Sequence, residues 1–218
     1  MKIGKILIRY SVFVLLAVLF ATNIGAATNK NKYSQNSDVS GTDLKISAKD
    51  YFLGDKKADI VIVEYASLTC SHCADFHSEV ISYLRNEFIK KGKLLYVYRD
   101  FPLDRLALAA SMIARCTGRK NFFGFLETLY LTQSKWMNSE KPLLSLEKLS
   151  RLAGLKKEQY NICLQNSNLR DQILAQRLEA AKEFKVKSTP TIFINGELYS
   201  GEMNLSQLRA FLNNIQSK

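Results

Sequence analysis

Proline, histidine and tryptophan are scarce in this chain of 218 residues, which has three prolines, two histidines and one tryptophan. A structural zinc site needs four ligands, usually in two pairs, and no second pair of ligands accompanies Cys70 and Cys73. Long runs of like charge are also absent, although the net charge is +11. The scattered lysines indicate a solvated basic surface, so we predict neither a metal site nor a nucleic-acid partner.

The N-terminal apolar run is too short for a membrane span, which takes about 20 residues. This run, residues 10–21, follows three basic residues and precedes the small residues 25–27. The order is typical of a secretory signal peptide. We therefore predict that residues 1–27 are removed on export to the periplasm. An uncleaved membrane anchor is the alternative.

The rest of the chain predicts one α/β domain that a helical segment interrupts. Residues 28–43 are polar, with almost no apolar side chains, and are predicted to form a flexible leader. The later patterns predict a first α/β part at 44–103, a helical insertion at 104–185 and a second α/β part at 186–218.

Strand and helix patterns alternate in the two α/β parts. The apolar runs 60–66 and 94–98 are typical of strands covered on both faces, and apolar residues at helical spacing lie between them. Such a unit is expected to be a right-handed crossover between parallel strands. Near the end of the chain, Asn195-Gly196 between two β-rich stretches predicts a hairpin, and a terminal helix follows. The predicted fold is α/β with a mixed sheet and an all-helical insertion.

Cys70 and Cys73 lie where a strand pattern gives way to a helix pattern. Unpaired N–H groups and the positive end of the dipole at a helix start lower a cysteine pKa from about 8.5 to about 3.5–7.5. His72, between the two cysteines, can add a hydrogen-bond donor or a positive charge. We predict a redox dithiol in which a substrate thiolate attacks Cys70 and Cys73 is the resolving thiol. No cofactor besides this disulfide is expected.

Glu64 is a carboxylate within an apolar strand pattern, before Cys70. Burial of a carboxylate costs several kcal/mol unless the group is paired or protonated. Its place in the same strand–helix unit favours a role as a proton relay for Cys73 through water. The alternative is that Glu64 lies at a sheet edge or pairs with a lysine or an arginine.

Thr189 and Pro190 precede the predicted hairpin. Proline is tolerated at the first residue of a strand, and its peptide bond is trans in most proteins. A cis bond facing the dithiol would instead leave the backbone of Thr189 free to pair with an extended substrate peptide.

Cys116 and Cys163 are the two remaining cysteines, and both fall on apolar faces of the helical insertion. Since Cys70 and Cys73 match each other locally, we predict a structural disulfide between Cys116 and Cys163 in an oxidising compartment. The alternative is two free buried thiols.

Three of these features together resemble the thioredoxin-like family. They are Glu64, the Cys70-x-x-Cys73 motif and the late Thr189-Pro190 before a hairpin. The resemblance implies a thioredoxin-like fold in which Cys70 is the nucleophile, Cys73 the resolving thiol and Glu64 a buried acid. It also implies that Pro190 is a cis-proline, with Thr189 beside it in the substrate-binding segment.

The helical insertion and the His72-Cys73 ending of the motif are similar to the DsbA branch of that family, exported thiol:disulfide oxidoreductases. The resemblance covers about residues 44–216 of the chain. It implies re-oxidation by a membrane-bound partner of the DsbB type. Ser71 stands where the best-known DsbA motif has proline, and Thr189 where it has valine. Both differences bear on the redox potential.

We therefore predict an exported enzyme that oxidises cysteine pairs in reduced extracytoplasmic proteins. A disulfide isomerase or reductase is one alternative. That class usually needs a dimerisation module, and residues 28–43 are short and polar, so a monomer is expected. A non-catalytic thioredoxin-fold binding or chaperone module is the other alternative, which the reactivity of Cys70 would distinguish.

Overall fold

A five-stranded mixed sheet lies at the centre of the computed structural model, which describes residues 44–199 and 204–216. The strands stand in the order β1-β3-β2-β4-β5, with β2 and β3 parallel and the other neighbouring pairs antiparallel. Their bounds are β1 Tyr51–Gly54, β2 Ile60–Ala66, β3 Leu94–Asp100, β4 Thr191–Ile194 and β5 Glu197–Tyr199. The mixed sheet expected from the sequence is confirmed.

The predicted signal peptide, 1–27, and the predicted leader, 28–43, lie outside the described residues. Within the described part of the chain, no helix is both long enough and apolar enough to span a membrane.

β2 and β3 are the interior strands that the continuous apolar runs predicted. Every residue of β3 is buried, and the pair runs in parallel register from Ile60 opposite Leu94 to Ala66 opposite Asp100. β4 lies on the other side of β2, with Thr191 opposite Tyr65. The C-terminal end of β2 and the N-terminal end of β4 therefore lie side by side at the same end of the strands.

The closing hairpin has the turn that its sequence predicted. Asn195 and Gly196 have φ angles of 49° and 82°, and both residues tolerate this left-handed region. The turn joins β4 to β5, whose residue Glu197 lies opposite Ile194.

β1 is a strand that the sequence analysis did not predict. It has four residues and pairs with β3 at the sheet edge, so its apolar stretch is too short to show a period. The first α/β part therefore begins with a further strand before the βαβ unit. Gly54 ends β1 with φ +102°, and a Cβ there would lie 2.1 Å from the carbonyl oxygen of Leu94.

A long helix follows β2, and we call residues 71–89 the dithiol helix, α1. It begins as an α-helix at Ser71–Phe76 and continues through the π-helical segment His77–Ile81, the α-helical Ser82–Leu84 and the π-helical Arg85–Ile89. Its buried face contains Cys73, Phe76, His77, Val80, Ile81, Leu84 and Phe88.

Six helices lie between β3 and β4, in the segment predicted to be a helical insertion. They are α2 Arg105–Cys116, α3 Gly118–Leu131, α4 Gln133–Met137, α5 Pro142–Leu152, α6 Lys157–Gln165 and α7 Ser167–Glu183. A disulfide joins Cys116 of α2 to Cys163 of α6. The terminal helix, α8, is Leu205–Gln216.

Hydrophobic clusters cover both faces of the sheet. The larger one contains the dithiol helix and much of the insertion, including Phe122, Leu129 and Trp136. The smaller one contains Val63 and Tyr65 with residues that lead into β4. The dithiol helix is thereby held between the sheet and α3.

Candidate active site

Cys70 is the N-cap residue of the dithiol helix, as its place in the sequence predicted. Its backbone N–H donates to the carbonyl of Ser67, 3.1 Å away. The amide of Gln133, on α4, donates to the carbonyls of Leu68 and Cys70, at 2.9 Å each. The helical insertion thus holds the loop that presents the dithiol.

The pKa of Cys70 is lowered to about 5. The largest cause is a hydrogen bond from the thiol of Cys73, and the backbone N–H groups of Cys73 and His72 act in the same direction. Partial burial of the sulfur opposes them. Near neutral pH, Cys70 is therefore a thiolate.

The pKa of Cys73 is raised well above its ordinary value. Burial is the largest cause, followed by the hydrogen bond to Cys70 and the negative charge of Glu64. Both cysteines are free in the structure. The reduced site thus consists of an anionic sulfur at the helix start and a protonated, buried sulfur one turn later.

His72 acts on Cys70 through its backbone. Its side chain is exposed and lines a cavity of about 210 Å³ together with Phe76 and Pro190. The main-chain N–H of His72 helps to lower the pKa of Cys70, and the contribution predicted for its side chain stays a prediction.

The peptide bond between Thr189 and Pro190 is cis. The register of β2 with β4 brings this segment to the dithiol, and the Cys70 thiol lies 3.2 Å from the carbonyl oxygen of Thr189, 119 residues away in sequence. The Oγ1 atom of Thr189 is buried without a hydrogen-bond partner.

Glu64 is fully buried on β2. Its Oε2 atom lies 3.0 Å from Nε2 of His77 and accepts a hydrogen bond from the hydroxyl of Tyr96. Its Oε1 atom has no hydrogen-bond partner. The alternative in which Glu64 lies at a sheet edge or pairs with a lysine or an arginine is wrong, because β2 is an interior strand and the partner is a histidine.

His77, Tyr96 and Gln133 are site residues that the sequence analysis missed. The ring of His77 stacks on Tyr130, with centroids 4.2 Å apart. Its position four residues after Cys73 on one helix face is a signal that could have placed it near the dithiol. No comparable local signal exists for Gln133, which reaches the site from another helix.

Among the described residues, no group of three or more histidine, cysteine, aspartate or glutamate side chains is placed to hold a metal ion.

A sequence profile of the family described as thioredoxin matches residues 47–214. The chain therefore belongs to the thioredoxin family. Within it, the chain is similar to DsbA proteins. It aligns with the crystal structure of alpha-DsbA1 from Wolbachia pipientis at 29% identity and a TM-score of 0.74, covering 80% of this chain and 94% of that one.

Two bacterial relatives have names that refer to disulfide chemistry. A Rickettsia typhi protein with the name protein-disulfide oxidoreductase is 35% identical over 154 residues, which are 70% of this chain and 57% of that protein. The chain thus matches little more than half the length of that relative. Disulfide bond formation protein D of Bacillus cereus is 24% identical over 206 residues, 91% of this chain and 92% of that one.

Proposed function

We propose that this protein is an exported thiol:disulfide oxidoreductase that oxidises cysteine pairs in proteins outside the cytoplasm. The observation that carries the proposal is the opposite direction of the two cysteine pKa values, lowered to about 5 at Cys70 and raised at Cys73. A stable Cys70 thiolate favours the reduced form of the site, which makes its disulfide a stronger oxidant. The names of the bacterial relatives support the same chemistry.

The reaction follows from these properties. In the oxidised protein, a client thiolate attacks the sulfur of Cys70 and breaks the Cys70–Cys73 bond, and Cys73 leaves and takes up a proton. A second client thiolate then attacks the client sulfur of the mixed disulfide. Cys70 departs as a thiolate, and its low pKa makes it a good leaving group. The client gains a disulfide, and the protein gains two electrons.

Thr189 and Pro190 are proposed to bind the client peptide beside Cys70. The carbonyl oxygen of Thr189 lies 3.2 Å from the Cys70 thiol, so a peptide joined to that sulfur passes this backbone. The cavity that His72 and Pro190 line offers adjoining space for client side chains. Glu64 is proposed to exchange a proton with Cys73, because its charge already acts on that thiol.

The oxidised state has to be regenerated after each turnover. We propose that a membrane-bound partner of the DsbB type accepts the electrons, by analogy with the DsbA proteins that the fold resembles. The basic and apolar N-terminal segment supports export to the periplasm, where such a partner would be reached.

The oxidised protein should restore activity to reduced ribonuclease, and Cys70→Ser should abolish that effect because it removes the attacked sulfur. Recovery of ribonuclease activity is the measurement, and scrambled ribonuclease serves as a parallel substrate. Rescue of only the scrambled form would identify an isomerase and overturn the proposal. No effect on either substrate would favour a non-catalytic binding module.

A further inference from the structure

A surface cavity of about 240 Å³ reaches the buried part of the site from the side of α3. Its wall is formed by residues of the dithiol helix, among them Ser78 and Ser82, and by Glu127 and Tyr130 of α3. His77 also lines this cavity, and 6% of its side chain is exposed, whereas the side chain of Glu64 has no exposure. His77 therefore lies between Glu64 and solvent.

Glu64 and His77 connect Cys73 with this cavity, first by charge and then by a short polar contact. The charge of Glu64 acts on the Cys73 thiol, and the unpartnered Oε1 atom of Glu64 can accept a proton. The other carboxylate oxygen, Oε2, is 3.0 Å from Nε2 of His77. The ring of His77 then reaches the cavity.

The other titratable groups around His77 do not offer a competing route. Burial raises the pKa of three tyrosines well above the ordinary value, so they stay neutral and exchange no net proton at ordinary pH. The titratable groups around His77 are Glu64 of β2, Tyr96 and Tyr98 of β3, Glu127 and Tyr130 of α3, and Asp75 of its own helix. Asp75 and Glu127 line the cavity, and Glu127 is paired with Arg85.

We propose that His77 is a proton relay between Glu64 and the water of this cavity, through which the proton of Cys73 leaves and returns in each redox cycle. The inference rests on the proposed function and adds the route by which a buried carboxylate exchanges protons with solvent. Histidine side chains commonly serve as proton shuttles in proteins.

When Cys73 attacks Cys70 in a mixed disulfide, its S–H bond breaks, the Cys70–Cys73 bond forms and the partner thiolate leaves. The proton goes to the carboxylate of Glu64, and the neutral carboxyl group turns to present it at Oε2, beside Nε2 of His77. Nε2 accepts this proton, and the ring releases the proton that it held on Nδ1 to the cavity. When a client thiolate opens the Cys70–Cys73 disulfide, the proton returns to Cys73 by the reverse route.

The test uses glutathione disulfide as the oxidant of the reduced protein. Formation of the Cys70–glutathione mixed disulfide depends on oxidant concentration, whereas its resolution by Cys73 does not. Acid quenching followed by mass spectrometry separates the two rate constants. His77→Gln keeps a polar group beside Glu64 but cannot ionise, so it should slow resolution by about tenfold or more and leave mixed-disulfide formation unchanged.

His77→Ala opens the cavity further and allows chemical rescue. Added imidazole should restore its resolution rate in proportion to the imidazole concentration, with a pH dependence that follows the ionisation of imidazole. A purely structural role, such as the stack of His77 on Tyr130, predicts no such rescue. Ser78→Ala is the matched control, because it changes the same cavity wall without touching Glu64, and it should resolve at the wild-type rate.

The possible results distinguish a failure of the His77 relay from a failure of the proposed oxidoreductase function. A wild-type resolution rate in His77→Gln, or no effect of imidazole on folded His77→Ala, overturns the relay while the proposed function stands. If His77→Ala does not fold, the rate of His77→Gln decides. If the wild-type protein forms no mixed disulfide at Cys70, the proposed function itself fails.

Discussion

At the residue scale, one hydrogen bond links the two thiols of the site and moves their pKa values apart. The Cys73 thiol donates to the Cys70 sulfur, which lowers the pKa of Cys70 and raises that of Cys73. The donor is buried and the acceptor lies at the helix start, so the proton stays on the inner sulfur. The position of the proton thereby assigns the attacking and the resolving roles.

Removing this donor should raise the pKa of Cys70. In the reduced wild-type protein, the ultraviolet absorbance of the thiolate should titrate at about 5. Cys73→Ala should move the pKa of Cys70 upwards, because the largest stabilising contact is lost. Cys73→Ser keeps a hydroxyl donor and should move it less. Equal values in all three proteins would show that the helix start alone determines the ionisation of Cys70.

At the element scale, the dithiol helix shows how side-chain spacing and helix geometry are connected. Its buried residues Phe76, Val80, Leu84 and Phe88 recur at a constant interval of four. An α-helix with about 3.6 residues per turn would rotate such a row steadily away from the sheet. The two π-helical segments, with their wider turns, counter this rotation and keep the row facing the core.

The disulfide between α2 and α6 is expected to stabilise the insertion without taking part in turnover. It closes a loop with a sequence separation of 47. Cys163 packs with Met112 and Ile173 in a cluster that does not contain the dithiol, whereas Cys116 also packs against the main core. Cys116→Ala combined with Cys163→Ala should lower the free energy of unfolding by about 4 kcal/mol in the chain-entropy model, measured by urea denaturation.

Ribonuclease oxidation by the folded double variant should stay at the wild-type level. The complementary control is Cys70→Ala, which should abolish turnover and leave the Cys116–Cys163 cross-link intact. Loss of turnover in a folded Cys116→Ala/Cys163→Ala protein would mean that this disulfide also takes part in electron transfer.

At the scale of the whole molecule, ionisation of Cys70 links redox state to stability. In the folded reduced protein its pKa is about 5, below the ordinary value of about 8.5 in an unfolded chain. The resulting stabilisation is fully present above the unfolded pKa and is lost as pH falls through the folded one. The oxidised protein has no thiol at Cys70 and lacks this contribution.

The melting temperature of the reduced protein, relative to the oxidised one, should therefore rise from about pH 5 to about pH 8. At higher pH the raised pKa of Cys73 works in the opposite direction, because the unfolded chain then loses a proton that the folded one keeps. Calorimetry of both redox forms across this pH range is the measurement. Cys70→Ser cannot form the Cys70–Cys73 disulfide, so its melting temperature is compared with that of the oxidised wild type, and this difference should not rise between about pH 5 and about pH 8. A pH-independent difference between the two wild-type forms would contradict the assignment of the thiolate.

The parts of the fold that the sequence predicted correctly depend on neighbours within one element. The helix start at Cys70, the interior character of β2 and β3 and the Asn195-Gly196 turn all follow from spacing over a few residues. β1 was missed because four edge residues show no period. The partners of Glu64 were not predicted, since its neighbours His77 and Tyr96 come from two other elements.

The sequence by itself determined which reactive groups the protein has and the local structure around each: two cysteines at a helix start, an acid within a buried strand and a proline before a hairpin. Local periodicity and helix-end electrostatics were sufficient for that. Only the tertiary structure decided how these groups meet, because the packing of β4 against β2 brings Thr189 to Cys70 and the packing of the dithiol helix against the sheet brings His77 to Glu64. Contacts between residues far apart in the chain arise when separate elements bury a common core, and no local pattern encodes their geometry.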